Sequence, residues 1–109
     1  MVTMHGFFDL MDETSELEFQ KAFDDFVSHL KECELISSHK VMRRSPNENY
    51  DSNPILTKYY IGMDFENMAN AQECWDHIER TEGVSALLHS QVHSKIRDYS
   101  FFVAEDIGT

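Results

Sequence analysis

MHGFFDL, residues 4–10, is the stretch of sequence from which the fold can be inferred. It is short and apolar and is followed by the acidic residues Asp12 and Glu13, which predicts a first β-strand that ends before them. Ser15 comes next, with Glu18 three residues later, and this pair can satisfy the free amides of a first helical turn. A helix is therefore predicted to begin there. Its apolar residues recur every three or four positions: Phe19, Ala22, Phe23, Phe26, Val27 and Leu30.

The remaining sequence predicts three further strands and two further helical segments. In chain order we expect a strand over 35–44, a polar loop over 45–57, a strand over 58–66, a helix capped by Asn67 and ended near Gly83, a helical segment over 84–96, and a strand over 99–104. This order is typical of the ferredoxin-like α+β fold, a four-stranded antiparallel sheet with helices on one face. A chain of 109 residues fits one such domain, spanning residues 1–109.

Adjacent aromatic residues on three of the predicted strands favour a homodimer. The pairs are Phe7-Phe8, Tyr59-Tyr60 and Phe101-Phe102. Because neighbouring residues of a strand point to opposite faces, each pair puts one large ring on each face of the sheet. The helices can cover only one face, and exposed aromatic patches are rare on monomers. We therefore expect two sheets to pack face to face, unless a one-residue bulge changes the strand parity.

Composition excludes several classes of protein. The formal charge of −11 disfavours nucleic acid and anionic membranes as partners. The first residues lack the basic region of a secretory signal, and no apolar run is long enough to span a membrane, so a cytoplasmic location is expected. Cys33 and Cys74 lie far apart without a CxxC motif, which favours reduced thiols.

A local excess of basic residues lies around the second strand. Lys40, Arg43 and Arg44 could meet the acidic residues Glu105 and Asp106 of a partner subunit and set the register between subunits. An equally good interpretation is a solvated basic edge that discourages aggregation.

The chain resembles the dimeric α+β barrel superfamily and, within it, the stress-responsive A/B barrel proteins. The resemblance lies in His5-Gly6-Phe7-Phe8, in the capped helix at Ser15, and in the hydrophobic pattern from Ala71 to Asp106. It implies an eight-stranded barrel formed by two subunits, with a cavity in each subunit between the sheet and the helices.

Relatives in this superfamily include polyketide cyclases, cofactor-independent monooxygenases and haem-degrading enzymes. The cyclases use a histidine on the first strand, where this chain has His5, and a second one in an HPxH segment. The corresponding residues 80–83 read RTEG and lack that histidine. The loop over 45–57 also looks longer than in these relatives and could fold over the partner or the cavity.

Candidate site residues each have a structural alternative. His5 is either a general base or a buried histidine held by one hydrogen bond, and Trp75 is either core or cavity wall. We expect His5, Phe7 and Trp75 to contact a ligand. His89 and His93 have the spacing of a metal-binding pair but no obvious third ligand, so a solvent-facing pair and no metal are expected. Glu73 and His77 are interpreted as a surface hydrogen-bonded pair.

The sequence contains no phosphate loop, dinucleotide-binding fingerprint or nucleophile elbow, so no cofactor is expected. We therefore expect a homodimeric α+β barrel protein of uncharacterised function, stress-associated or binding a small apolar ligand, and not an enzyme. The alternative is a cofactor-independent monooxygenase or a polyketide cyclase-like enzyme that acts on an aromatic substrate with His5 as base.

Overall fold

The computed structural model describes residues 1–51, 57–80 and 83–108 and contains four strands and three helices in the described part. The elements are β1 (Val2–Leu10), α1 (Glu16–Glu32), β2 (Ser38–Arg43), β3 (Tyr59–Phe65), α2 (Met68–Glu79), α3 (Val84–His93) and β4 (Ile96–Glu105). All strand pairs are antiparallel, in the order β2-β3-β1-β4. The Cα atoms extend only 18 Å in the thinnest direction, which fits one sheet and one helical layer. The predicted ferredoxin-like α+β fold is confirmed.

Side-chain caps start the two longer helices as the sequence predicts. The Ser15 hydroxyl accepts a hydrogen bond from the Glu18 amide at 3.1 Å, and the Asn67 side chain accepts one from the Asn70 amide at 2.9 Å. Each cap satisfies an amide that has no partner within its helix. The apolar stripe of α1 is buried at all six predicted positions: Phe19, Ala22, Phe23, Phe26, Val27 and Leu30.

The core lies between α1 and one face of the sheet. On β1 the residues directed at the helices are Val2, Met4, Gly6, Phe8 and Leu10, alternating with Thr3, His5, Phe7 and Asp9 on the outer face. Phe8 is fully buried, and its ring packs at a tilt of 42° against Phe19 of α1, with ring centroids 4.9 Å apart. No helix of the described residues packs over the outer face.

β4 begins earlier than predicted, and α3 ends earlier. The segment predicted as helix over 84–96 ends at His93, and Ile96 is already the first residue of β4. The pairing register between β1 and β4 shifts between Phe7 and Asp9, so that β4 has one more residue than β1 in this interval. Asp98 has a positive φ of 53° at this bulge, a conformation that aspartate tolerates better than most residues. The bulge interrupts the apolar alternation, which is why the sequence pattern did not reveal the start of the strand.

The bulge lies before the Phe101-Phe102 pair, so these two residues still point to opposite faces of the sheet, as predicted. Phe101 pairs with Gly6 on the helix side, whereas Phe102 pairs with His5 on the outer face. Every residue of β4 after Ile96 is exposed, on both faces of the strand. The structure thus leaves an edge strand with large apolar side chains uncovered on two sides.

The basic residues of β2 mostly find partners within the subunit. Arg43 binds Glu16 at 2.7 Å and Arg44 binds Asp51 at 3.3 Å. Asp106 lies 3.6 Å from the amino group of Met1. Arg43, Arg44 and Asp106 were expected to bridge two subunits, but each already has a partner within its own subunit. This favours the interpretation of β2 as a solvated edge.

Candidate functional site

A cavity of about 290 Å³ lies between the sheet and the helices. It is lined by residues of five elements, β1, α1, β3, α2 and α3, together with the inner face of β4. The lining residues are Met4, Phe23, Phe26, Ile61, Met63, Trp75, Ile78, Glu79, His89, Val92, His93, Ile96 and Phe101. All but three of these side chains are apolar, so the cavity suits an apolar molecule that has few polar groups.

Trp75, the single tryptophan of the chain, is a wall of this cavity. It is partly buried and packs edge-on against Phe65, with centroids 5.8 Å apart. Of the two interpretations left open by the sequence, the structure supports the cavity wall. A tryptophan in this position also provides a fluorescent reporter inside the candidate site.

His5 and Phe7 do not line the cavity with Trp75. Both side chains lie on the outer face of the sheet, away from the helices. His5 and Phe7 therefore contribute no group to this cavity, and their contact with a ligand stays a prediction. Strand parity is the physical reason, because His5 alternates with Met4 and Gly6, which face the helices.

On the outer face His5 is held by aromatic neighbours and one hydrogen bond. Its Nδ1 and the Tyr60 hydroxyl lie 2.6 Å apart, and its ring stacks on Phe102 with a centroid distance of 4.8 Å. Burial, with a smaller contribution from Asp64, raises the pKa of Tyr60, so the phenol stays protonated, and the tautomer of His5 sets which of the two groups donates. Gly62 makes room for this contact, since a Cβ there would lie 2.8 Å from the Tyr60 oxygen.

A second polar group lies beside this pair. Partial burial opposes ionisation of Asp64, but hydrogen bonds from the hydroxyls of Ser38 at 2.5 Å and Thr3 at 2.6 Å outweigh it and lower the pKa of the carboxyl. Lys40 adds to this lowering. Asp64 is thus a charged residue whose two oxygens are both occupied within the subunit.

His89 and His93 line the cavity, where the sequence led us to expect a solvent-facing pair. His89 is half-buried and meets Phe26 edge-on at 5.7 Å, while His93 is exposed and meets Tyr99 at 4.9 Å. Burial, and to a lesser degree the neighbouring His93, lowers the pKa of His89. At neutral pH the His89 imidazole is therefore neutral and can accept a proton or a hydrogen bond from a molecule in the cavity.

Sequence reasoning missed Ser85, which is buried in the first turn of α3. Its hydroxyl lies 2.7 Å from His29 Nε2 of α1 and 2.9 Å from His77 Nδ1 of α2. His77, predicted to pair with Glu73, thus has a different partner. One hydroxyl joins all three helices, but Ser85 is only 2% exposed and cannot reach a substrate.

No group of three or more His, Cys, Asp or Glu side chains in the described residues is arranged to hold a metal ion. Cys33 and Cys74 are both free. Within the same residues, no helix is long and apolar enough to cross a membrane. Residues 52–56 of the long loop and 81–82 of the RTEG segment lie outside the described part of the chain.

Comparison with known proteins gives one family match. The model of DUF6614, a family of unknown function, matches residues 1–104. None of the curated proteins matches the chain in sequence.

Solved structures share the fold at low sequence identity. The protein At3g17210 of Arabidopsis thaliana has a TM-score of 0.77 at 8% identity, with 100% of this chain and 98% of that chain covered. A dimeric ferredoxin-like protein of unknown function from Jannaschia sp. CCS1 has a TM-score of 0.67 at 10% identity, with 96% and 98% covered. SnoaB, a cofactor-independent oxygenase of Streptomyces nogalater, has a TM-score of 0.64 at 11% identity, with 99% and 94% covered. The resemblance to the dimeric α+β barrel proteins is thereby confirmed at the level of the fold.

Proposed function

The chain belongs to DUF6614, a family of unknown function, and from this starting point we propose that it is a homodimer that binds a small apolar ligand between its sheet and its helices. The observation that carries the proposal is the cavity of about 290 Å³ with Trp75 in its wall. Its apolar and aromatic walls offer a small molecule the close contacts that side chains make in a protein interior.

The size and lining of the cavity limit the ligand. Its volume is at the lower end of the range for small-molecule sites, which favours a molecule of one or two rings over a long acyl chain. The aromatic walls suit a flat ring, and His89 offers one hydrogen-bonding nitrogen. The proposed ligand is therefore a small aromatic compound with at most one or two polar groups.

The homodimer is supported by the bare outer face of the sheet. Phe7, Tyr60 and Phe102 share that face, and Phe102 is 49% exposed. The Jannaschia protein of the same fold is dimeric, in keeping with this arrangement. A second copy of the chain is the partner that would cover the same patch on both subunits symmetrically.

A cofactor-independent oxygenase or cyclase is the second candidate, and one observation favours it. His89 is a half-buried imidazole in contact with the cavity, with a lowered pKa suited to a general base. SnoaB is an oxygenase of this fold that needs no cofactor. In such an enzyme His89, and not His5, would remove the proton from an aromatic substrate.

A stress-associated role and a cytoplasmic location complete the proposal. The free cysteines support the cytoplasmic location.

The ligand site can be tested with N-phenyl-1-naphthylamine, a neutral probe whose fluorescence rises in apolar surroundings. Ile78 lies in the cavity wall and is only partly buried, so Ile78→Trp should fill the cavity without unfolding the protein. Leu17→Trp is the matched control, because Leu17 is 75% exposed on α1. We expect Ile78→Trp to weaken probe binding by about tenfold or more, or about 1.4 kcal/mol, and Leu17→Trp to leave it unchanged.

Probe binding that survives Ile78→Trp would place the probe elsewhere and overturn the assignment of the cavity. Circular dichroism of both variants excludes loss of the fold as the cause. His89→Gln tests the second candidate function: if the protein is an enzyme with His89 as base, this variant abolishes turnover of an aromatic substrate, because an amide cannot take up the proton.

A further inference from the structure

His89 and His93 stand one helical turn apart on α3 and face the same space. Both line the cavity between the sheet and the helices, and both also line a second, shallower concavity together with Ser90 and Ser94. Their ring centroids are 5.9 Å apart, with 32° between the ring planes. Two imidazoles at this spacing on a helix can bind one metal ion between them.

The separation of the rings is close to that of a chelating pair. Metal–nitrogen bonds of about 2.1 Å put each ring centroid about 3.2 Å from the ion, so the centroids are about 5.2 Å apart at the tetrahedral angle of Zn²⁺ and about 4.5 Å apart at the right angle that Ni²⁺ and Cu²⁺ favour. The observed 5.9 Å exceeds these separations by about 0.7 and about 1.4 Å, gaps that side-chain rotations close.

The ring nitrogens of both residues are also available. Among the described residues no hydrogen bond occupies a nitrogen of either ring, whereas His5, His29 and His77 all have hydroxyl partners. Phe26 and Tyr99 contact the two rings edge-on and hold them without using a nitrogen.

We propose that His89 and His93 together bind one divalent transition-metal ion of the class that favours imidazole, namely Zn²⁺, Ni²⁺ or Cu²⁺, at the mouth of the cavity. The site has two protein ligands, in agreement with the lack of any three-residue metal cluster among the described residues. Water fills the remaining coordination positions, and those that face the cavity are open to a donor atom of a bound molecule. Glu79, the one carboxylate among the described residues that line the cavity, adds negative charge nearby.

The competing site is the exposed thiol of Cys33, whose sulfur lies 3.7 Å from His29 Nε2. A thiolate and an imidazole also bind these ions. This pair lies on α1 and is separate from the cavity, so substitution distinguishes the two sites.

Titration with Ni²⁺ alone, followed by calorimetry, tests the proposal. We expect one ion per subunit, with affinity about tenfold or more weaker in His89→Gln and in His93→Gln. His77→Gln is the matched control: it removes an imidazole from α2 and should leave the affinity unchanged. As a measurement that needs no variant, paramagnetic Ni²⁺ should broaden the proton NMR signals of His89 and His93 before those of the other four histidines.

Absence of Ni²⁺ binding overturns the proposal, and so does binding that persists in the His89→Gln, His93→Gln double variant. Binding that is lost in Cys33→Ser would assign the ion to the Cys33–His29 pair instead. The metal test contains no apolar molecule, and the naphthylamine test contains no metal. Failure of either proposal is therefore visible without affecting the other.

Discussion

Removal of the Phe102 ring should separate the two subunits of the proposed dimer. Phe102 is 49% exposed on the outer face of the sheet. A phenylalanine buries some 150–250 Å² when fully packed, so about 100 Å² per subunit is left for the partner to cover. At about 25 cal/mol per Å² this is roughly 2.5 kcal/mol per subunit.

Two equivalent residues meet in a symmetric dimer, so Phe102→Ala should cost at most about 5 kcal/mol of association free energy. The dissociation constant should rise by about tenfold at least and by about 4,000-fold at most, and a value below this ceiling is expected because buried area converts incompletely into affinity. Sedimentation equilibrium over a range of concentrations measures this constant directly. Leu17→Ala removes an exposed apolar side chain from α1 and is the matched control.

Two outcomes refute the reasoning. A wild-type protein that sediments as a monomer at high micromolar concentration would show that the outer face is not an interface. A dimer whose dissociation constant changes equally in Phe102→Ala and Leu17→Ala would show that the interface lies elsewhere. Near-ultraviolet circular dichroism of the Phe102→Ala monomer checks that its remaining core is intact.

Three further predictions concern stability and are measured by urea unfolding. Gly6→Ala should cost about 1–3 kcal/mol, because the new Cβ would lie 2.6 Å from the Phe101 ring. Ser85→Ala should cost about 1–3 kcal/mol, since two imidazole nitrogens lose the hydroxyl between them, and Ser85→Thr should recover part of this loss. Burial, aided by Lys31, lowers the pKa of His39. As the pH falls, this histidine therefore takes up its proton in the unfolded chain before it does so in the folded protein. The free energy of unfolding should decrease below about pH 6.5, and His39→Gln should make that decrease shallower. An unchanged dependence of the free energy of unfolding on pH would contradict this cause.

Most of the fold could be predicted from the sequence because periodicity and capping act locally. The stripe of α1 and the caps Ser15 and Asn67 depend on residues at most four positions apart. The start of β4 could not be predicted in this way, because the bulge at Asp98 breaks the alternation that defines a strand. A bulge is fixed by pairing with a distant strand, and the local sequence carries little record of it.

The position of His5 could have been predicted by applying strand parity to the whole of β1. Val2, Met4 and Phe8 share one parity and are apolar, whereas His5 shares the other with Thr3 and Asp9. The polar set belongs to the face without helices.

The same kind of signal was present for the histidines of α3. His89 and His93 lie four and eight residues after the buried Ser85, on the stripe that also holds Val92. Their spacing from the apolar Val92 therefore directs His89 inward, while His93 stays exposed at the edge of the cavity. The bridge from Ser85 to His29 and His77 had no such signal, because it joins three separate helices.

The polar groups of the outer face are paired in the way that a surface needs when it loses its water. The Tyr60 hydroxyl occupies His5 Nδ1, and the two oxygens of Asp64 are occupied by Thr3 and Ser38. Groups on a solvated face need no such partners, because water satisfies them, whereas a face covered by another sheet must satisfy them itself. Rings at Phe7 and Phe102 pack against the His5–Tyr60 pair and make this part of the face suited to cover by another apolar surface. A histidine within an apolar strand, which first suggested a base, is thus accounted for as a hydrogen-bonded polar member of the proposed interface.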